Sequence, residues 1–153
     1  MAQPPIQELS TPQRSGGTLA QRLALIVKSD SFEDILLAVS FAGIAASAGQ
    51  QVTMFFTNRA ARRLKLGGFE EPFEGDRVSE EYRSGAEGMG FRDLGGMLRE
   101  TKATGHVRVY LCSRGARIWD IDADNMAPEV DSVMGTATFL LDEVPRADKV
   151  ITI

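Results

Sequence analysis

An α/β fold of three layers, α/β/α, built on a mainly parallel sheet of about five strands, is what this sequence predicts. Three observations predict it. A short uninterrupted apolar run, L-A-L-I-V at 23–27, suits a central strand of a parallel sheet, and Q-V-T-M-F-F-T at 51–57 reads as a second strand. Segments of helical periodicity separate these runs, and strand–helix alternation implies right-handed crossovers. The 153 residues, 43% of them hydrophobic, suffice for one domain with a sizeable core but not for a second full domain.

Taken in order, residues 1–20 contain Pro4, Pro5, Pro12, Gly16 and Gly17 and lack the basic start and apolar middle of a secretory signal. They read as a flexible leader to a single domain over 21–153. The first strand ends in Lys28-Ser29-Asp30-Ser31, where Asp30 or Ser31 is the expected N-cap of a helix from Phe32 to about Ala48. One apolar stripe, Phe32, Ile35, Leu36, Val39, Gly43 and Ala46, has the spacing of a core face. A second set, Leu37, Phe41, Ile44 and Ala45, lies on other sides, so the helix is expected to pack against another subunit as well as the sheet. Gly49 closes it. Gln51 to Thr57 reads as the second strand, with Asn58 capping a short basic helix that carries Arg59, Arg62, Arg63 and Lys65.

From Gly67 to Gly90 glycines and an excess of acids, among them Glu70, Glu71, Glu74 and Asp76, remove any apolar period and predict a long loop. A modest helix from about Arg92 to Lys102 follows, closed by Gly105. Val107 to Leu111 form the next strand, and Cys112 stands where it runs out into Ser-Arg-Gly. Ala116 to Pro128 predict a short helix and turn, Ser132 to about Val144 a last helix stopped near Pro145, and K-V-I-T-I the final strand.

Composition excludes several classes of function. A net charge of −4 and a pI near 5.1 leave no basic footprint for nucleic acid, and no apolar run is long enough to span a bilayer. A single cysteine precludes an intrachain disulfide and any CxxC site, which favours a reducing, cytoplasmic compartment. The sole histidine, His106, sits at the opposite end of the cysteine-bearing strand, roughly 20 Å away, so within one subunit it cannot be that cysteine's base. Asp120-x-Asp122-x-Asp124 echoes a calcium loop, but the sixth position is Asn125, the ninth Pro128 and the twelfth Asp131, which rules that reading out. Neither a phosphate-binding loop nor a dinucleotide fingerprint is present, and no metal or cofactor is expected.

Cys112 is therefore the residue on which chemistry would rest. Ligands gather beyond the carboxyl ends of strands in open α/β sheets, which puts this thiol at the productive edge, reachable from solvent. Arg114 and Arg117 follow closely, and the amides of Ser113 and Gly115 at a helix start would face the sulfur; each favours thiolate over thiol. Ser29, Asp30, Ser31, Thr57 and Asn58 follow parallel strands, line the same edge, and either touch a ligand or act as caps.

L-A-L-I-V before a small-residue helix, then V-T-M-F-F-T, then H-V-R-V-Y-L-C-S, then G-T-A-T-F-L-L-D-E-V-P-R-A-D-K-V-I-T-I together resemble the DsrE/DsrF-like family over nearly all of residues 22–153. The resemblance implies a DsrE/flavodoxin-like fold and a sulfur-relay role. In active members a cysteine just after this strand carries sulfur as a persulfide and passes it to a partner of the TusA or DsrC type; Cys112 matches that position. It also implies a homo-oligomer, as a trimer, tetramer or hexamer. Relatives with additional cysteines differ from this chain, which has no second thiol for an internal relay. The alternatives are a non-catalytic oligomeric module in which Cys112 only packs, and a redox sensor forming an intersubunit disulfide.

Overall fold

The computed structural model describes residues 21–153; the expected leader over 1–20 lies outside the described residues. Five strands, β1 (Arg22–Val27), β2 (Gln51–Phe56), β3 (Val107–Cys112), β4 (Ser132–Met134) and β5 (Lys149–Thr152), form one sheet in the order β4-β3-β2-β1-β5. All four pairings are parallel.

That order decides how the faces are covered. The steps from β1 to β4 run one way across the sheet, so right-handed connections fall on one face; the return from β4 to β5 crosses on the other. Alternation along the strands follows suit. Leu23, Leu25, Val27, Val52, Met54, Phe56, Val107, Val109 and Leu111 enter the main core, whereas Ala24, Phe55 and Cys112 join Phe139 in a small cluster behind. The main face carries α1 (Phe32–Ser47), α2 (Arg77–Gly88) and α3 (Leu94–Ala103); among the described residues the rear face carries only the helical run Thr136–Arg146.

Ser31, not Asp30, caps α1, its hydroxyl accepting from the Asp34 amide at 3.2 Å. The second apolar side of α1 is covered only in part within the chain. Ala38, Ala42 and Ala45 are buried, and α3 approaches so closely that a Cβ on Gly43 would stand 3.3 Å from Thr101 Oγ1. Only Leu37 and Ile44 remain exposed, at 42% and 70%. Phe41 lies between them half-buried, so this stripe stays open to a contact with another subunit.

Two expectations fail locally. Residues 67–90 are not one long loop, because α2 occupies half of them. Asp76 caps it by accepting from the Ser79 amide at 3.0 Å, and Arg77–Glu81 and Arg83–Glu87 pair one turn apart. Only Ala86 is buried, so α2 has almost no apolar stripe to read. The last helix does not begin at Ser132. Residues 132–134 are the edge strand β4, docked by Asp131, whose amide donates to Val109 O and whose carboxylate accepts from Val109 N and Lys102 Nζ. The helical run then starts at Thr136 and passes from an α turn through a π turn at Phe139–Glu143 to a 3-10 turn at Val144–Arg146. Gly49 and Gly105, at φ +78° and +80°, close their helices as the sequence predicts.

Candidate functional site

Cys112 ends β3, and its parity along the strand turns the side chain to the rear face beside Phe55 and Phe139, whose rings stack at 4.3 Å. The next residue begins α4 (Ser113–Ile118), so the backbone turns from extended to helical at the thiol itself. Burial, the largest influence, pushes the Cys112 pKa up. Hydrogen bonds from the Thr57 hydroxyl, the Gly115 amide, the Thr136 hydroxyl and the Arg114 amide together outweigh it, and the thiol is held below its ordinary range. The Thr136 hydroxyl stands 3.7 Å from Sγ. Thiolate character therefore comes from hydroxyls and amides: Arg114 contributes its amide, while its guanidinium and that of Arg117 are exposed.

The expected opening at the rim is not there in the single chain. Cys112 has 0% exposure, because the rear-face helical run lies over it. On the same sheet face a groove of about 270 Å³ is lined by Arg22, Thr53, Arg108, Tyr110, Glu143 and Arg146; Cys112 is not among its lining residues.

Of the predicted neighbours, Thr57 helps to lower the Cys112 pKa, and its hydroxyl lies 3.4 Å from Asn58 Oδ1. Ser113 starts α4, and Gly115 is buried where a Cβ would fall 2.6 Å from Ala61 Cβ, so only glycine lets α4 seat against the 3-10 helix Asn58–Leu64. Asn58 is not that helix's cap but its first residue, at φ +49°; its carbonyl accepts from Trp119 Nε1 at 2.9 Å. Ser29 and Ser31 are joined to each other, Ser29 Oγ accepting from the Ser31 amide at 3.3 Å.

Asp30 belongs to a separate cluster. Its buried carboxylate is paired with Arg59 at 3.2 Å, with Arg62, and with Arg63 at 3.9 Å. Arg63 is wholly buried and donates to the carbonyls of Gly68, Glu71, Asp30 and Pro72, with the Phe73 ring 3.9 Å beneath it. Burial, the chief cause, lowers its pKa. One guanidinium thus ties the chain at 68–73 to the end of β1, a role that a basic helix on its own does not advertise.

His106 lies at the far end of β3, hydrogen-bonded to Gln51 at 2.9 Å. Asp122 accepts from the Asp124 amide within its own turn. Among the described residues no group of three or more His, Cys, Asp or Glu side chains is placed to hold a metal ion, and no helix is long and apolar enough to cross a membrane. Thr136 and the Asp30–Arg63 cluster are what sequence reasoning missed. Thr136 is 24 residues from Cys112 with no motif linking the two.

Fold and site together define an α/β protein with a five-stranded parallel sheet and one hydrogen-bonded thiol at the carboxyl end of its third strand. The family model described as the DsrE/DsrF-like family matches residues 21–153, and the chain belongs to that family. Among solved structures it is similar to the ychN protein from E. coli, at 18% identity and a TM-score of 0.57, over 87% of this chain and 99% of that one. It is equally similar in fold to MTH1491, a protein of unknown function from Methanobacterium thermoautotrophicum, at 14% identity and a TM-score of 0.57, again over 87% and 99% of the two chains. No curated protein matches the sequence.

Proposed function

We propose that this protein is a sulfur carrier of the relay type, holding sulfur as a persulfide on Cys112. Family membership supports a relay role in general. The observation that carries the finer reading is the Thr136 hydroxyl 3.7 Å from Sγ, in a setting of hydroxyls and amides that holds the thiol below its ordinary range and so favours the anion that the chemistry needs.

In the loading step the Cys112 thiolate attacks the terminal sulfur of a donor persulfide. A new S–S bond forms on Cys112, the donor S–S bond breaks, and the donor leaves as a thiolate with the electron pair; no net oxidation occurs. In the second step the thiolate of an acceptor protein, of the TusA or DsrC type, attacks that outer sulfur and Cys112 is returned as thiolate. The same donors that hold the anion stabilise it as the leaving group. With the thiol buried, both steps require the helical run over it to move aside, and its π turn is a packing irregularity of the kind that marks functional segments. We place the carrier in the cytoplasm as a homo-oligomer. The thinly covered rear face, with Leu140, Leu141 and Val150 exposed, is a further surface for self-association beside α1.

A second reading, an oligomeric module without chemistry, is favoured by the complete burial of Cys112. Iodoacetamide labelling at neutral pH separates the two, with Cys112→Ser as the blank. A carrier labels in the native state with a midpoint below about 8.5, whereas a packing cysteine labels only after unfolding.

A further inference from the structure

Beside the thiol, the outer side of α4 and the start of the 3-10 helix share one exposed surface. Gly115 backs onto Ala61, Trp119 Nε1 donates to Asn58 O at 2.9 Å, and the Arg62 guanidinium stands 5.8 Å from the Trp119 ring, so the two elements are packed together. They present Ile118 at 63% exposure and a half-buried Trp119, with Arg114 and Arg117 exposed on α4 and Arg59 exposed on the 3-10 helix. Among the described residues Arg114 and Arg117 form no ion pair. Arg59 shares the single Asp30 carboxylate with Arg62 and Arg63, and its other partner, Glu74, is 3.8 Å away and largely in water.

In a chain of net charge −4 this is a local positive field around an apolar side chain and an indole. Tryptophan and arginine set about an apolar centre are the side chains that dominate protein–protein binding. We infer that this surface docks an acidic protein, one presenting carboxylates to Arg59, Arg114 and Arg117 around an apolar residue that meets Ile118. A free anion would leave Ile118 uncovered. The exposed Asp120, Asp122 and Asp124 that follow Trp119 in the chain disfavour an extended polyanion such as a nucleic-acid strand; a folded partner can place its carboxylates over the arginines alone. The partner's part in sulfur exchange rests on the carrier reading, but the docking does not.

Trp119 is the only tryptophan, so its emission reports on the surface directly. The probe is a capped peptide of six glutamates with a central leucine, titrated into the full chain, beside a matched lysine peptide, a thymidine decanucleotide and sodium sulfate at equal ionic strength. The expected result is a saturable change in Trp119 emission with the glutamate peptide alone, weakened about tenfold or more between low and high salt. It should weaken by at least about tenfold in Arg114→Glu/Arg117→Glu, should survive Arg92→Glu and Cys112→Ser, and should be reduced in Ile118→Ser. Melting curves establish that the exposed-residue variants remain folded. The inference is overturned by no saturable change, by an equal change with the lysine peptide, the oligonucleotide or sulfate, or by undiminished binding in the double arginine variant. Should the titration succeed while Cys112 refuses sulfur, the docking surface stands and only the carrier reading falls.

Discussion

The sulfur of Cys112 lies 3.7 Å from the hydroxyl of Thr136, a contact between a fully buried thiol and an exposed residue. The threonine therefore has two opposed effects on reactivity: it shields the sulfur, and it donates to the anion.

Thr136→Ala separates the two effects by pH. Losing the hydroxyl raises the Cys112 pKa, so the alkylation midpoint moves up and labelling near neutral pH has less thiolate to draw on. Well above both midpoints the thiolate is fully formed in either protein, and there the variant labels faster because its cover is thinner. A pH–rate profile with iodoacetamide checks both limbs; an unmoved midpoint would show that Thr136 does not touch the charge.

Gly115→Ala drives a Cβ to 2.6 Å from Ala61 Cβ, so α4 must shift away from the 3-10 helix. Overpacking of this kind costs about 1–3 kcal/mol, to be read from urea unfolding. Because the Gly115 and Arg114 amides move with α4, the alkylation midpoint rises as well. Destabilisation with an unchanged midpoint would mean the amides do not hold the anion.

Arg63→Met leaves the carbonyls of Gly68, Glu71, Asp30 and Pro72 without the donor that joins them. Removing one side of such a buried charged network costs about 3–5 kcal/mol. Arg59→Met, at a side chain 64% exposed, should cost under about 1 kcal/mol. Equal losses in urea unfolding for the two variants would contradict the assignment of Arg63 as the tie.

The sequence displayed the elements whose period the core enforces. β1, β2, β3 and α1 were legible because each buries a face, and the position of Cys112 at the end of β3 followed from the same apolar run. α2 was not legible, since a helix burying only Ala86 has no stripe; the Asp76 cap and the two arginine–glutamate pairs were the available signal. β4 was too short, at three residues, to stand out from the helix after it. The carboxyl edge was visible, yet which face the thiol takes, and hence its burial under Thr136 and Phe139, depends on a return crossover that local pattern does not encode.

The α2 cap titrates. The Asp76 carboxyl is held below its ordinary range chiefly by the Ser79 amide, so its contribution is present above the unfolded pKa of about 3.9 and is lost as pH falls through the lower folded value. The protection factor of the Ser79 amide should fall as pH drops through that folded value, and in Asp76→Asn, which caps without titrating, it should not. Identical pH profiles for the two proteins would remove Asp76 from the account.

The central claim is that Cys112 takes up sulfur in the folded chain. Intact-mass measurement after incubation with polysulfide at neutral pH, followed by a small thiol acceptor, tests it most directly. A gain of about 32 Da, absent from Cys112→Ser and discharged by the acceptor, is the predicted result. A Cys112 that stays unmodified in the native protein, yet reacts once unfolded, would contradict it.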